Sequence, residues 1–316
     1  MVYLPSMYRE PLRLIINPAA SGGRGRRAAL EILALLDARS VPYDLRYTDS
    51  PGHASELAVE ALEAGVGGIH VLAGGGTMHE VAGGLLGCDR GPLPPVALFP
   101  VGTGNDFHRM VGADRSAAAV ARILEDGAVK HFDVGRVRWE NGERIFVNLF
   151  GVGVDVEVLR RRARFARLTG LAQYLAALVH ALITFRAPEI EIVVGGGDHT
   201  RVVGSTTLTV ITVGPSIGGG FMINPGACAT DGMLDLCHVP AVNWLQISVL
   251  VPRIIRGTHR GMRLLTMCQL REARVGRTDG KPMWFEIDGE LAPEPARELQ
   301  IQVLPRALPV MVPAHA

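Results

Sequence analysis

The chain lacks most of the features that mark secreted or nucleic-acid-binding proteins. Its four cysteines are scattered, with no Cys-x-x-Cys pair: Cys88, Cys228, Cys237 and Cys268. A chain of this length does not need disulfides to fold. Aromatic residues make up only 5% of the sequence and the formal net charge is +1, so there is no overall attraction to nucleic acid. These absences predict a cytoplasmic globular protein with reduced thiols and no nucleic-acid partner.

Long hydrophobic runs and a secretory leader are also missing. Residues 1–11 do not combine a basic region with the apolar core of a signal peptide. The longest apolar stretches, residues 171–185 and 242–255, are shorter than the ~20 residues that a membrane-spanning helix needs. Both stretches also contain polar residues. We therefore expect no transmembrane segment.

Glycine, in contrast, is abundant and concentrates in three turns of the first third of the chain: residues 17–25, 73–77 and 100–106. Each turn follows an apolar run that we interpret as a strand. Glycine there lets the backbone turn and lets a ligand approach closely, while a following helix points free N–H groups at an anion. A single turn of this kind can also merely end a strand or cap a helix. Three of them together predict a nucleotide phosphate site.

The order of apolar runs predicts two domains. Strands are expected at residues 12–16, 43–48, 68–73 and 95–99, alternating with helices at residues 25–39, 52–65, 77–86 and 116–126. This alternation is typical of a parallel sheet with ligand-binding turns at the carboxyl ends of its strands. All three glycine turns fall on that edge. We expect an α/β nucleotide-binding domain over residues 1–129.

The remainder is predicted to be β-rich. Strands are expected at residues 132–139, 144–149, 190–194, 202–213, 233–239, 263–274, 283–287 and 299–303, with one helical segment at 158–185. Apolar runs separated by Gly, Asn and Asp turns favour an antiparallel sandwich or barrel. The second domain is expected over residues 130–303, with a cleft between the domains and the last strand, near 304–316, returning to the first.

Four short motifs occur in order along the chain. They are Asn17-Pro18 with Gly22, Gly23 and Gly25; residues 76–81, Gly-Thr-Met-His-Glu-Val; residues 100–107, Pro-Val-Gly-Thr-Gly-Asn-Asp-Phe; and Asp288-Gly289-Glu290. This order resembles the diacylglycerol kinase catalytic domain family, which includes bacterial lipid kinases and sphingosine kinases. The resemblance covers about residues 12–303. It implies an enzyme of lipid metabolism and phospholipid biosynthesis that transfers the γ-phosphate of ATP, with Mg²⁺, to the hydroxyl of a diacylglycerol-like or sphingoid lipid bound in the second domain.

The resemblance also implies a nucleotide site. Its expected members are Asn17, Gly22, Gly23, Arg24, Thr48, Gly74, Gly75, Gly76, Thr77, Gly102, Thr103 and Asn105, with Asp106 as a metal ligand. Other interpretations remain for several of them. Asn105 and Asp106 are equally suited to cap a helix, Thr48 lies in a segment that suits capping, and Arg24 is as consistent with a solvated helix face.

One position departs from the family pattern. Gly75 occupies the place of the acidic residue in the family's Gly-Gly-Asp-Gly-Thr turn, where that residue handles the nucleotide and its metal. A general base contributes about 10²–10⁴-fold to a rate, so its loss is compatible with a slow enzyme. The alternative is a pseudokinase, a regulatory protein that binds nucleotide or lipid without transferring phosphate. NAD kinases share the glycine turn, but the Asn17-Pro18 loop and residues 100–107 argue against that activity.

The remaining carboxylates implied by the resemblance lie in the second domain. Glu290 and Asp133 match the family's catalytic pair. Asp231 lies in a loop that holds a structural Mg²⁺ in bacterial members, and a simple Asp-Gly hairpin turn is an equal interpretation of that loop.

Positive charge clusters only at residues 160–167, beside the apolar stretch 171–185. A basic segment next to an amphipathic helix can rest on an anionic membrane, whereas a solvated helix face is the common alternative. With a lipid substrate, we expect peripheral association with the membrane surface. The sequence leaves open whether the chain forms a homodimer.

Overall fold

The computed structural model describes residues 10–20, 24–88, 91–100, 106–112, 123, 127–162, 165, 177, 180–181, 184–195 and 200–314, with only the main chain for residues 24–28, 100 and 162. The chain divides into two compact units. The first comprises Met1–Phe132 and Arg306–Ala316, and the second comprises Asp133–Pro305.

The first unit is built on a parallel sheet. Its strands are β1 (Leu12–Ile16), β2 (Tyr43–Tyr47), β3 (Gly68–Ala73) and β4 (Val96–Pro100), in the order β2-β1-β3-β4. The helices are α1 (Arg24–Ala38), α2 (His53–Glu63), α3 (Gly75–Leu86) and α4 (Asp106–Val111). Every residue of β1 and β3 is buried, as expected for parallel strands covered on both faces. The predicted α/β fold is confirmed.

The core of this unit lies beneath α1. Leu14 and Ile16 of β1 pack in one cluster with Ile32 and Leu36 of α1. Near the end of the chain, Val310 pairs in parallel with Val96 of β4. These contacts fix β1 and β4 in the sheet, and glycine turns begin in the sequence at the carboxyl ends of both strands.

The second unit contains most of the remaining strands. They are β5 (Ala128–Trp139), β6 (Gly142–Phe146), β7 (Leu149–Gly153), β8 (Glu189–Gly195), β9 (Arg201–Thr212), β10 (Leu234–Pro240), β11 (Thr266–Leu270), β12 (Glu272–Arg277), β13 (Glu286–Ile287), β14 (Glu290–Leu291) and β15 (Glu298–Val312). Strand β9 pairs with β8 through residues 201–205 and with β7 and β10 through its later residues. All these pairings are antiparallel, as predicted for a sandwich-like domain.

The predictions for three stretches of this unit are wrong. The expected strand 144–149 consists of the end of β6, a bend and the start of β7. The expected strand 263–274 is two strands, because β11 pairs with β10 whereas β12 pairs with β8 and β15. The stretch 242–255 contains a second helix, α6 (Trp244–Arg256). Asn243 and Gln246 form a reciprocal capping box, and Gly257 ends the helix with φ +68°. These capping residues are visible in the sequence and predict the two ends of this helix, which the apolar composition alone does not.

The described part of the expected helix 158–185 is α5 (Val154–Arg162), which begins four residues earlier than predicted. Most of its continuation, and most of the expected helix 116–126, lies outside the described residues. Among the described residues, no helix has the length and apolar character needed to cross a membrane.

Candidate active site

The ends of β1 and β3 bring the first two glycine turns together. The strands pair in parallel with Ile16 beside Leu72, so the residues that follow them emerge side by side. The Nδ2 of Asn17 donates a hydrogen bond to the Oγ1 of Thr77 at 3.2 Å. The Oδ1 of Asn17 accepts from the backbone N–H of Ala19 at 3.0 Å. The Asn17 side chain therefore fixes its own turn and ties it to the start of α3.

The N-terminus of α3 is open. Gly74 is the N-cap residue, and no side chain caps the helix there. Gly75 and Gly76 form the beginning of the helix, two residues earlier than predicted. A Cβ placed on Gly75 would meet no atom within 4 Å. The space beside Gly75 is therefore open, and the free N–H groups of a helix N-terminus suit a phosphate oxygen.

Neighbouring polar groups are engaged in holding the scaffold. Thr48 is buried, and its N–H donates to the carbonyl of Ile16 at 2.9 Å. The Oε2 of Glu80 accepts from the N–H of Ala54 at 3.2 Å, in the first turn of α2. Asp106 is buried at the start of α4, and its Oδ1 lies 2.7 Å from Nη1 of Arg109. That ion pair must open before Asp106 can accept a metal through this oxygen.

Several predicted nucleotide residues cannot be placed. Gly22, Gly23, Gly102, Thr103 and Asn105 lie outside the described residues, as does the side chain of Arg24. Among the residues that are described, no group of three or more His, Cys, Asp and Glu side chains gathers in a way that could hold a metal ion.

In the second unit, Asp288 fixes the turn that carries Glu290. The Asp288 carboxylate accepts backbone N–H groups of Val147, Asn148 and Leu149, each at 2.8 Å. Asp288 has φ +50° and the next residue, Gly289, has φ +83°. The Glu290 side chain is 48% exposed, and its Oε2 lies 4.0 Å from Nη1 of Arg144. Glu290 is thus an accessible carboxylate on a rigid turn.

Asp133 occupies a different environment from Glu290. It is 1% exposed, and its Oδ2 accepts the N–H of Gly232 at 2.7 Å. Its own N–H donates to the carbonyl of Ala229 at 2.7 Å. Asp133 therefore holds the loop at residues 229–232. This geometry favours a positioning role over the direct catalytic role that the sequence predicts, which stays a prediction.

A pair of buried carboxyl groups lies beneath the same turn. Asp155, in the first turn of α5, and Glu286 of β13 both lie against Gly151 of β7, where an added Cβ would collide with Asp155 Oδ2 and lie 2.9 Å from Glu286 Oε1. Burial raises the pKa of Asp155 to about 6. Burial and then the charge of Asp155 raise the pKa of Glu286, with a smaller contribution from Asp288. The pair retains a proton at pH values where isolated carboxyls are ionised.

The sequence analysis missed this pair. One residue, Ile287, separates Glu286 from the Asp288-Gly289-Glu290 motif, and one residue, Val154, separates Asp155 from the end of β7. Neither the burial of these side chains nor their juxtaposition is visible in one sequence, because their partners come from distant segments.

Asp231 lies beside another carboxylate. Its Oδ1 accepts the N–H of Met233 at 3.0 Å, and its Oδ2 accepts from Nε2 of Gln269 at 2.9 Å. Burial and then the charge of Asp231 raise the pKa of Asp235 to about 6. The Oδ2 of Asp235 is buried and has no hydrogen-bond partner in the part of the chain that the structure describes. Two adjacent carboxylates with an unsatisfied oxygen form a donor set that suits a hard divalent cation.

A cavity of about 340 Å³ also lies in the second unit. Its walls combine apolar side chains, including Val152, Phe185 and Trp284, with four charged residues: Glu157, Arg161, Arg186 and Arg277. Two of the arginines are paired, since Arg161 Nε lies 2.9 Å from Glu157 Oε2 and Arg277 Nη2 lies 2.6 Å from Asp279 Oδ2. Apolar walls with a few fixed polar groups are typical of small-molecule sites.

The basic segment predicted to contact a membrane is only partly described. Arg160 lies 3.3 Å from Glu157 and 5.4 Å from the centre of the Trp284 ring. The side chains of residues 162–164, 166 and 167 lie outside the description. The arginines that can be placed here, Arg160 and Arg161, therefore share one carboxylate, Glu157, which offsets one of their two charges.

Comparisons with known proteins agree with these two units. Residues 11–137 match the family described as diacylglycerol kinase catalytic domain, and residues 148–312 match the YegS C-terminal NAD kinase beta sandwich-like domain. The diacylglycerol kinase of Mycobacterium tuberculosis (strain CDC 1551 / Oshkosh) is 28% identical over 304 residues, covering 95% of this chain and 94% of the relative.

Two further relatives cover similar lengths. A protein of Citrobacter koseri named probable lipid kinase YegS-like is 26% identical over 314 residues, 95% of each chain. A solved structure of a diacylglycerol kinase from Bacillus anthracis strain Sterne has a TM-score of 0.70 at 21% identity, covering 95% of this chain and 96% of the other. At that identity the structural likeness shows the fold.

Proposed function

Because the chain belongs to the diacylglycerol kinase catalytic domain family, in its lipid kinase branch with a YegS-type C-terminal domain, we propose that it transfers the γ-phosphate of ATP to a hydroxyl of a diacylglycerol-like or sphingoid lipid. The proposal places the enzyme in lipid metabolism, including phospholipid biosynthesis, and in the cytoplasm with peripheral attachment to the membrane. The observation that carries it is the joining of two glycine turns at one sheet edge by the bond between Asn17 and Thr77.

ATP binding rests on the first unit. The N–H groups at the open start of α3 supply donors to phosphate oxygens, and the open space beside Gly75 lets a phosphate approach the main chain. Magnesium bridging the phosphates would neutralise charge on the transferring group. Asp106 is the described carboxylate that we propose for it, provided that the pair with Arg109 opens.

Proton removal from the lipid hydroxyl rests on the second unit. Glu290 is accessible, and the turn that holds it is fixed by the three N–H groups bound to Asp288. We assign Glu290 as the base and Asp133 as a residue that positions the 229–232 loop. Hard oxygen ligands at Asp231 and Asp235 fit a structural Mg²⁺. The cavity bounded by Phe185 and Trp284 suits a lipid with a polar head, because its walls combine apolar side chains with arginines.

The test is transfer of labelled γ-phosphate from ATP with Mg²⁺ to a panel of diacylglycerols and sphingoid bases in mixed micelles. Glu290→Gln should lower kcat about 10²–10⁴-fold, because it removes the base, while leaving ATP affinity unchanged. Glu143→Gln is the matched control: Glu143 is 53% exposed and also paired with an arginine, and its loss should leave turnover near that of the wild type.

Gly75→Asp separates a kinase from a pseudokinase. We expect wild-type turnover that rises in this variant, since the added carboxylate lies where the family places its acidic residue. ATP binding without transfer by the wild type, with transfer restored by Gly75→Asp, would contradict the kinase proposal and identify a pseudokinase. Absence of ATP binding in both proteins would overturn the nucleotide assignment.

A further inference from the structure

Helix α6 presents an apolar face to solvent. Four large side chains on it are exposed: Trp244 by 55%, Leu245 by 79%, Val249 by 47% and Ile255 by 52%. At 100° per residue they occupy one continuous side of the helix. They account for half of the exposed large hydrophobic side chains in the described chain, since the others are Leu30, Tyr47, Val193 and Val203. This clustering distinguishes the helix from the scattered apolar residues found on most surfaces.

The outer face is not required to hold the helix in place. Leu250 and Ile254 anchor the opposite side in a cluster with Val210 and Cys237. The capping box at Asn243 and the glycine at position 257 satisfy its two ends. The helix is therefore a fixed element of the second unit, and its outer side chains are available for a partner.

The chain segment that contains the helix carries charge of one sign, and of its arginines Arg260 interacts with a carboxylate outside the segment, Asp235. The 36 residues from Leu236 to Arg271 contain no Asp or Glu and five arginines: Arg253, Arg256, Arg260, Arg263 and Arg271. All five are exposed, and Arg253 and Arg256 lie in the last turn of the helix itself. A partner that covers this face must therefore be apolar beneath the helix and negatively charged beside the arginines.

We propose that α6 is an interfacial helix that seats the protein on an anionic lipid bilayer. A bilayer supplies the required combination, with acyl chains for Trp244, Leu245, Val249 and Ile255 and anionic headgroups for the arginines. Trp244 also belongs at that depth, because its ring is apolar and its N–H is polar. A second copy of the chain docked through the same face would bring arginines against arginines, so that face lacks the required negative charge. This inference rests on the proposed function in one respect: the lipid substrate is the reason for the protein to bind a bilayer.

The direct test measures binding of the full chain to vesicles by flotation. Phosphatidylcholine vesicles with and without about one third phosphatidylglycerol supply the two surfaces. Leu245→Gln/Val249→Gln should weaken binding to anionic vesicles more than tenfold. Arg253→Gln/Arg256→Gln should weaken it about 25-fold, at roughly fivefold per basic residue, with little change on neutral vesicles.

Matched controls remove the same chemistry elsewhere. Leu30→Gln/Val203→Gln deletes two exposed apolar side chains, and Arg138→Gln/Arg201→Gln deletes two exposed arginines. Both should bind like the wild type. Trp244 emission, taken as the difference between the wild type and Trp244→Phe, should shift to shorter wavelength on vesicle binding. Equal binding by the α6 variants and their controls would overturn the proposal, as would an α6-dependent dimer that does not bind vesicles.

Activity separates this inference from the kinase proposal. The α6 variants should keep turnover of a short-chain, water-soluble diacylglycerol and lose it on long-chain diacylglycerol embedded in vesicles. Vesicle binding without turnover of either substrate would contradict the kinase proposal and leave the docking surface standing. Full activity of the variants on embedded lipid would contradict the docking surface alone.

Discussion

The two units differ in the ionisable groups that they remove from water. In the first unit His70 of β3 is fully buried against Phe99, with ring centroids 5.1 Å apart, and burial lowers the pKa of its imidazole to about 3. In the second unit Asp155 and Glu286 are buried together, and burial raises the pKa of both. Burial also lowers the pKa of His238 in the second unit, so both units keep a base neutral and the second keeps a carboxyl protonated as well. These two kinds of buried group should make stability respond to pH in opposite directions.

The largest expected effect is the acid sensitivity of the first unit. His70 binds a proton in the unfolded chain near pH 6.5 but in the folded unit only near pH 3, so stability falls as pH decreases across this range. The loss is about 5 kcal/mol across the whole range, of which about 2 kcal/mol is reached by pH 5. His70→Leu should flatten this dependence, as measured by hydrogen exchange of amides in β1 and β3 at pH 5 and 7.

Hydrogen exchange is the appropriate probe because all three tryptophans, Trp139, Trp244 and Trp284, lie in the second unit. His131→Leu is the control, since His131 is an exposed histidine of the first unit, which also contains His70. If both variants keep the wild-type slope, His70 is not the source of acid sensitivity and the comparison between the units fails.

The second effect has the opposite sign. Asp155 releases its proton near pH 4 when unfolded and near pH 6 when folded, so the second unit loses stability as pH rises through that window. This rise in the pKa of Asp155 corresponds to about 3 kcal/mol of stability. Asp155→Asn should be less sensitive between pH 5 and 8, and Asp155→Asn/Glu286→Gln less again, in urea unfolding followed by tryptophan fluorescence.

Glu143→Gln serves as the control for this measurement, because Glu143 is a half-exposed carboxylate of the same unit. A wild-type protein whose second unit gains stability from pH 5 to 8 would show that the carboxyl pair is ionised, and the contrast with His70 would disappear. Asp288 adds negative charge beside Glu286, so its presence strengthens the expected direction.

Local patterns explain how much of the fold and site could be predicted. Strand β3 has the predicted bounds, and Asn17 and Thr77 were both expected in the site, because glycine turns after apolar runs are local signals. The contact of Asp155 with Glu286 is not local, since it depends on the pairing of β7 with β13. Helix α6 is an intermediate case. Its capping residues, Asn243, Gln246 and Gly257, are local signals that predict a helix, but the apolar run between them was considered only as a possible membrane span.

The smallest expected effect is that of Gly75→Asp on the stability of the first unit. It tests whether the fold of this unit has room for the carboxylate that the family pattern places at this position. Gly75 is the first residue of α3 and lies in open space, so an aspartate there meets no steric obstacle. The carboxylate lies near the positive end of the helix dipole and glycine's flexibility is lost, which together should stabilise the unit by about 0.5–1.5 kcal/mol. Thermal unfolding at pH 7 measures this change in stability.

Gly83→Asp is the matched control, because Gly83 is equally open but near the negative end of the same helix. This variant should gain less stability than Gly75→Asp or lose stability. Equal changes in the two variants would rule out the dipole explanation, whereas the expected difference would mean that the first unit retains room for the carboxylate that its sequence lacks.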